Sequence, residues 1–311
     1  MISFRLVPDR TSFPFLRYRK LAYVASAVLF AISLVLLPTK GLNLGIDFQG
    51  GTMIEVRMPG DAADLAGMRA TLGGLGLGEV ALQEFGAPTD VLIRMERQHG
   101  DEAEQMAAVD LVKNSLAEGY GADVSFRRVE FVGPKVSGEL LWAGTQAVLY
   151  ALLAILIYIW FRFEWQFGVC AVTALIHDVV LTLGIFSLLG LEFNLATVAA
   201  ILTIIGYSLN DTVVVYDRVR ENVRRYKSLS MPALLDRSLN ETLARTLMTS
   251  LTTLLALVAL FVFGGPVIRD FTFAMMWGVV VGTYSSIFIA TPLLLQLHVR
   301  RPAGQEAVQA S

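Results

Sequence analysis

The sequence predicts an α-helical membrane protein of six transmembrane helices, with one extracytoplasmic α+β domain inserted between helices 1 and 2. The order of elements in that domain is ferredoxin-like, βαββαβ. Three observations carry this. Of the 311 residues, 55% are hydrophobic and only 17% are charged, too apolar a balance for an ordinary soluble domain. Six apolar runs approach the roughly 20 residues that a bilayer-crossing helix needs. One long acidic segment, residues 39–140, interrupts them after the first.

The expected spans are 21–38, 141–161, 167–189, 195–215, 246–263 and 271–295. The first resembles a secretory signal, because Arg17, Arg19 and Lys20 precede it. Its length and the sequence Leu37-Pro38-Thr39-Lys40, which offers no small-residue cleavage site, make it a retained anchor. The lone cysteine, Cys170, implies no disulfide framework and reads as small apolar packing.

Basic residues set the expected orientation, because cytoplasmic loops carry excess Lys and Arg. The N-terminal segment 1–20 holds Arg5, Arg10, Arg17, Arg19 and Lys20. The stretch 216–245, expected as a basic cytoplasmic loop, holds Arg218, Arg220, Arg224, Arg225, Lys227, Arg237 and Arg245. The tail 296–311 adds Arg300 and Arg301. Six spans with both termini cytoplasmic put all three on one side, and put residues 39–140 in the periplasm or its equivalent.

Between Lys40 and Leu140 there are nine basic and sixteen acidic residues. A segment this long needs its own structure. Thr52–Met58 alternates as a strand. Asp61–Leu72 has helical spacing, with Asp61 as its expected N-cap. Glu79–Phe85 and Asp90–Met95 read as strands divided by a turn at Gly86-Ala87-Pro88. Asp101–Glu118 is a second helix and Val124–Val132 a last strand. That order is the split βαβ unit, a fold that hosts many functions. His99 stands alone in a polar loop. No catalytic triad, metal-ligand cluster or phosphate loop appears, so the sequence gives no catalytic residue, cofactor, metal or nucleic-acid partner.

The candidate functional residues lie inside the spans, where ionisable groups are costly and point to function. His177-Asp178 falls near the middle of the third span. The fourth carries Thr203, Tyr207, Asn210 and Asp211 at spacings of four, three and one. The fifth opens on Arg245 and continues with Thr249, Thr252 and Thr253. These spacings place each set on one helical face, expected to look into the bundle or a hydrated cavity. Asp211 and Arg245 fall at similar depth. On the residues alone they serve equally well as a register-fixing ion pair or as a proton site. His177 reads first as a hydrogen-bonded core histidine, with proton carrier as the alternative. Gly278, Gly282 and Ser286, four apart, give the sixth span a small face for close packing.

The segments GLNLGIDFQGGTMIEV (Gly41–Val56), His177-Asp178, GYSLNDTVVVYDRVREN (Gly206–Asn222) and NETLARTLMTS (Asn240–Ser250) together resemble the SecF family. These are the smaller membrane subunits of the bacterial SecD–SecF protein-export accessory complex, within the resistance-nodulation-division superfamily. The resemblance covers nearly the whole chain. It implies an inner-membrane subunit that pairs with SecD, assists the SecYEG channel together with YajC, and uses the proton gradient to pull exported unfolded polypeptide outward. It maps the family's fourth-span acid onto Asp211 and its fifth-span arginine onto Arg245. A proton path through Asp211, Arg245, Asp178, His177 and Asn210 is the resulting expectation, with sodium as the open alternative ion. The rival readings are a proton-driven small-molecule exporter of the same superfamily and a non-transporting assembly scaffold.

Overall fold

The computed structural model describes residues 11–78, 80–96, 98, 102–121, 123–265 and 268–297. The basic residues expected at Arg5, Arg10, Arg300 and Arg301, the lone His99, and the element ends at Glu79 and Asp101 lie outside the described residues.

Six helices are long and apolar enough to cross a membrane. They are α1 (Arg19–Thr39), α5 (Pro134–Arg162), α6 (Trp165–Leu189), α7 (Leu195–Arg225), α8 (Met231–Phe263) and α9 (Arg269–Ser285). A π-helical turn, Ser286–Ala290, and a short α10 (Thr291–Leu293) continue the last one. Helices α6, α7 and α9 are largely buried and form the centre. Helices α1, α5 and α8 expose most of their apolar side chains, among them Leu21, Val28, Leu149, Leu153, Leu255 and Val262. Water would not tolerate so continuous an apolar rim, whereas lipid is its natural solvent.

Helix ends follow local chemistry. Gly190 closes α6 in the left-handed conformation at φ +67°. Asn194 opens α7 with a capping box, its Oδ1 accepting from Thr197 N at 3.1 Å. The segment 216–245 corrects the sequence reading, since most of it is helix rather than loop. Helix α7 runs on to Arg225, residues 226–230 make the connection, and α8 begins at Met231. Val215, Tyr216, Val219 and Val223 face Leu234, Leu235 and Leu239 in one core. The numerous charges hide this helical apolar period.

The inserted domain comprises β2 (Gly51–Arg57), α3 (Leu65–Gly73), β3 (Val80–Phe85), β4 (Ala87–Met95), α4 (Glu102–Tyr120) and β5 (Ser125–Val132). Its sheet order is β3-β4-β2-β5, with every neighbouring pair antiparallel. That is the ferredoxin-like arrangement. The core lies between sheet and helices, with Ile54, Val56, Ile93, Met68, Leu72, Val112 and Leu116 buried. The first helix starts later than expected. Asp64 is its N-cap, accepting from Gly67 N at 2.9 Å, because it directly precedes the first buried-face turn. The β3–β4 turn is also tighter. Ala87 and Pro88 belong to β4, and Gly86 alone reverses the chain at φ +84°.

Two short elements join this domain to the bundle. Strand β1 (Asn43–Leu44) pairs in parallel with β6 (Glu192–Phe193), the connection between α6 and α7. Between β1 and β2, the turn α2 (Ile46–Gln49) buries Ile46 and Phe48, and Phe48 packs on Phe193. Asp47 Oδ2 accepts from Leu195 N at 2.9 Å.

Candidate functional site: a polar cluster at the α6–α7–α9 crossing

Close helix approach comes first. A Cβ on Gly282 would meet Ser208 Cβ at 2.8 Å, and one on Gly278 would collide with Ile204. The glycines therefore let α9 lie directly against α7, as small residues do between membrane helices. That approach brings Ser285 level with Ser208.

Both serines then reach Asp178 on α6. Ser208 Oγ and Ser285 Oγ each donate to Asp178 Oδ2 at 2.7 Å. His177 Nδ1 pairs with Asp178 Oδ1 at 3.0 Å. Asp178 is 1% exposed and His177 6%. Three donors from three helices converge on one carboxylate, which is how a buried acid is satisfied. Such a group fixes helix register without a further partner. The π-helical turn begins directly after Ser285, and Tyr216 on α7 donates to Ala290 O at its end, at 3.2 Å. π-Turns concentrate at functional sites.

Asp211 lies one turn beyond Ser208 on α7 and is 3% exposed. Its Oδ2 is buried with no hydrogen-bond partner among the described residues. Arg245 on α8 is within electrostatic reach, but no ion pair joins the two among the described residues. The Tyr207 hydroxyl, Thr246 Oγ1 and Trp277 Nε1 are orphaned in the same way, on α7, α8 and α9. A lone unsatisfied polar atom in a dry core costs on the order of 1–3 kcal/mol. Others lie elsewhere, on Tyr23, Arg94, Gln166 and His177.

The polar faces expected to look inward divide. Asp211 is buried, whereas Thr203 and Asn210 are exposed, with Ala199 and Gly206 on the same stripe. Arg245 and Thr252 are exposed as well. The inward face of α7 is already filled by Ile201, Ile204, Ile205, Ser208 and Thr212, so the remaining polar residues can only point outward. Sequence reasoning missed Ser208 and Ser285. The only available signal was their position on the faces of Asp211 and Gly282.

Fold and site together define a multi-pass membrane protein with ionisable groups packed where its central helices cross. Residues 112–300 match the family described as "Protein export membrane protein SecD/SecF, C-terminal", and residues 35–58 match the "SecD/SecF GG Motif". The chain belongs to the SecD/SecF family. It is 46% identical over 307 residues to a protein translocase subunit SecF of Rickettsia rickettsii, covering 98% of each chain. It is 47% identical over 299 residues to the same subunit of Rickettsia felis, covering 96% of each. Its structure resembles that of SecDF, a translocon-associated membrane protein from Thermus thermophilus, with TM-score 0.85 and 37% identity over 95% of this chain. Against SecDF in a super-membrane-facing form the TM-score is 0.70. The chain spans 40% of the length of either SecDF chain.

Proposed function

We propose that this chain is the SecF-type half of a SecD–SecF assembly in the bacterial inner membrane. There it uses the proton-motive force to promote late steps of protein export through SecYEG. Both termini are cytoplasmic, and the inserted domain faces the periplasm, where it handles emerging polypeptide; YajC is a further partner. The observation that carries the reading is Asp211, a buried acid with an unpartnered oxygen beside an exposed stripe of Ala199, Thr203, Gly206 and Asn210. Small and polar residues on an outward helix face suit a second helical half rather than lipid. Sites between two such halves are the rule in pseudo-symmetric transporters.

In this reading Asp211 carries the proton, and Arg245 is the counter-charge that the ionised acid meets as the halves rearrange. Asn210 lines the shared face. Asp178, held by three donors, anchors the crossing, with His177 as its partner. A proton moving fully across gains about 2.3 kcal/mol per 100 mV. The test is export into sealed vesicles holding SecYEG, SecD and this chain, with proton and sodium gradients imposed separately. Asp211→Asn is expected to abolish the proton-driven component while leaving membrane insertion intact. Normal proton-driven export by that variant refutes the relay, and stimulation by sodium alone reassigns the ion.

A further inference from the structure

The basic end of the bundle holds a cleft of about 500 Å³ between the ends of α5 and α7, lined by Arg162, Asp217, Arg220, Glu221, Arg224 and Arg225. Four guanidinium groups face two carboxylates, and both carboxylates are engaged. Asp217 pairs with Arg162 at 2.9 Å. Glu221 pairs with Arg218 at 2.9 Å, from outside the cleft. Arg220 donates to Arg162 O at 3.2 Å, and Arg225 lies 5.4 Å from the Tyr226 ring centroid. Among the described residues Arg220, Arg224 and Arg225 therefore have no counter-ion.

Arginines in the last turns of a helix complement its dipole. That accounts for the sign of the charge but not for three unpaired cations around one cleft. The surroundings supply the missing context. Tyr158, Trp160 and Phe161, in the last turns of α5 before Arg162, are exposed, and so is Trp165 at the start of α6. Exposed aromatic residues at the end of an apolar span form the belt that sits at lipid headgroup level. The cleft thus opens where phosphates lie, and the guanidinium fork matches a phosphate in shape and charge.

We propose that this cleft binds the phosphodiester headgroup of one anionic phospholipid from the adjoining leaflet. Arg220, Arg224 and Arg225 supply the charge, and the exposed aromatic residues flank the acyl chains. Basic pockets between transmembrane helices are built for such headgroups. The assignment requires only that the helices span a bilayer and is independent of proton coupling.

The test is lipid retention by the purified full chain in neutral detergent, read by native mass spectrometry with phosphatidylglycerol and phosphatidylcholine at equal concentration. One phosphatidylglycerol is expected to remain bound in preference. Each guanidinium removed is expected to weaken retention about fivefold, so Arg220→Gln with Arg224→Gln should weaken it about twenty-five-fold. Arg237→Gln, on α8 and paired with Glu241 outside the cleft, should leave it unchanged. Asp217→Asn frees Arg162 and should strengthen it, a gain that misfolding could not mimic. Equal retention of both lipids, or undiminished retention by the double variant, overturns the proposal. So does displacement of the lipid by an equal concentration of inorganic phosphate, which would mean a free-anion site. Loss of the bound lipid when SecD is present also overturns it, because the cleft would then be a protein interface.

Discussion

Arg94 on β4 and Glu192 in the α6–α7 connection form an ion pair that fastens the inserted domain to the helical bundle. Arg94 also donates to Asn43 Oδ1 at 3.3 Å, and Asp270 Oδ2 accepts from Glu192 N at 3.0 Å. The domain is therefore held by more than its two covalent tethers. This contact sits beside the first turn of α7, the helix that carries Asp211.

The pair is asymmetric, and that gives a prediction. Both side chains are 16% exposed. Arg94→Met leaves Glu192 facing Asp47 and Asp270 with no cation and should cost about 3 kcal/mol. Glu192→Gln leaves Arg94 near Asp270 and should cost less. Burial pushes the Glu192 carboxyl above its ordinary range, with Arg94 opposing. The folded state thus holds this proton more tightly than the unfolded chain, and stability from this group falls as pH rises through the folded value. The Arg94→Met variant should regain stability as pH drops from 7 toward about 5. Hydrogen exchange at Asn43–Leu44 and Glu192–Phe193 would report it, and equal effects of the two substitutions would contradict the asymmetry.

Within the inserted domain the sign reverses at Asp90. Arg57 binds this carboxylate at 2.6 and 2.8 Å, and Arg127 adds to the field. The Arg57 hydrogen bonds hold Asp90 below its ordinary value of 3.8. The contribution is complete above that value and is lost as pH falls through the lower folded one. Asp90→Asn should therefore lower stability by about 1–2 kcal/mol at neutral pH and flatten the acid limb of the thermal unfolding profile. An unchanged acid limb would show that Asp90 contributes nothing to it.

What the sequence made legible was whatever repeats with a fixed period. The apolar runs marked the six membrane-length helices, alternation marked β2 and β5, and the Gly86-Ala87-Pro88 turn signal divided β3 from β4. Charge concealed the continuation of α7 past Val215, because Asp217, Arg218, Arg220 and Glu221 interrupt the apolar count while Tyr216, Val219 and Val223 keep the buried stripe. Of the polar cluster, His177 and Asp178 stood out in the sequence, whereas Ser208 and Ser285 did not. Asp178 and Ser285 are 107 positions apart, and only the Gly278–Gly282 approach brings them together. Nor does spacing alone reveal that Asn210 faces outward while its neighbour Asp211 faces inward.

The glycines on α7 and α9 should separate packing from assembly. Gly282→Ala forces a methyl against Ser208 and should destabilise the chain by about 1–3 kcal/mol, loosening the Ser285–Asp178 bond as α9 retreats. A Cβ at Gly206 would meet no atom of the described residues within 4 Å. Gly206→Leu should leave the isolated chain as stable as the parent while weakening co-purification with SecD. Unaltered co-purification would remove the α7 stripe as the meeting face.

The two buried acids should respond to the same substitution in opposite ways. Asp178→Asn replaces an oxygen that accepts two serine hydroxyls, or turns an amide donor toward them, and costs a charge-assisted bond from His177. Hydrogen bonds to charged groups contribute about 1.5–3 kcal/mol each, so the loss should be several-fold larger than for a surface acid. It should appear as a lower melting temperature of the purified chain. Asp211→Asn removes an acid whose buried oxygen has no donor among the described residues, so none of their hydrogen bonds is lost and the melting temperature should hold or rise. If Asp211 is the proton carrier, that stable variant is the one that loses gradient-driven export. Asp178→Asn should lose export only in proportion to its instability, and second-site packing substitutions that restore its melting temperature should restore export as well. A thermally intact Asp178→Asn protein that remained inactive would transfer the proton-carrying role from α7 to α6.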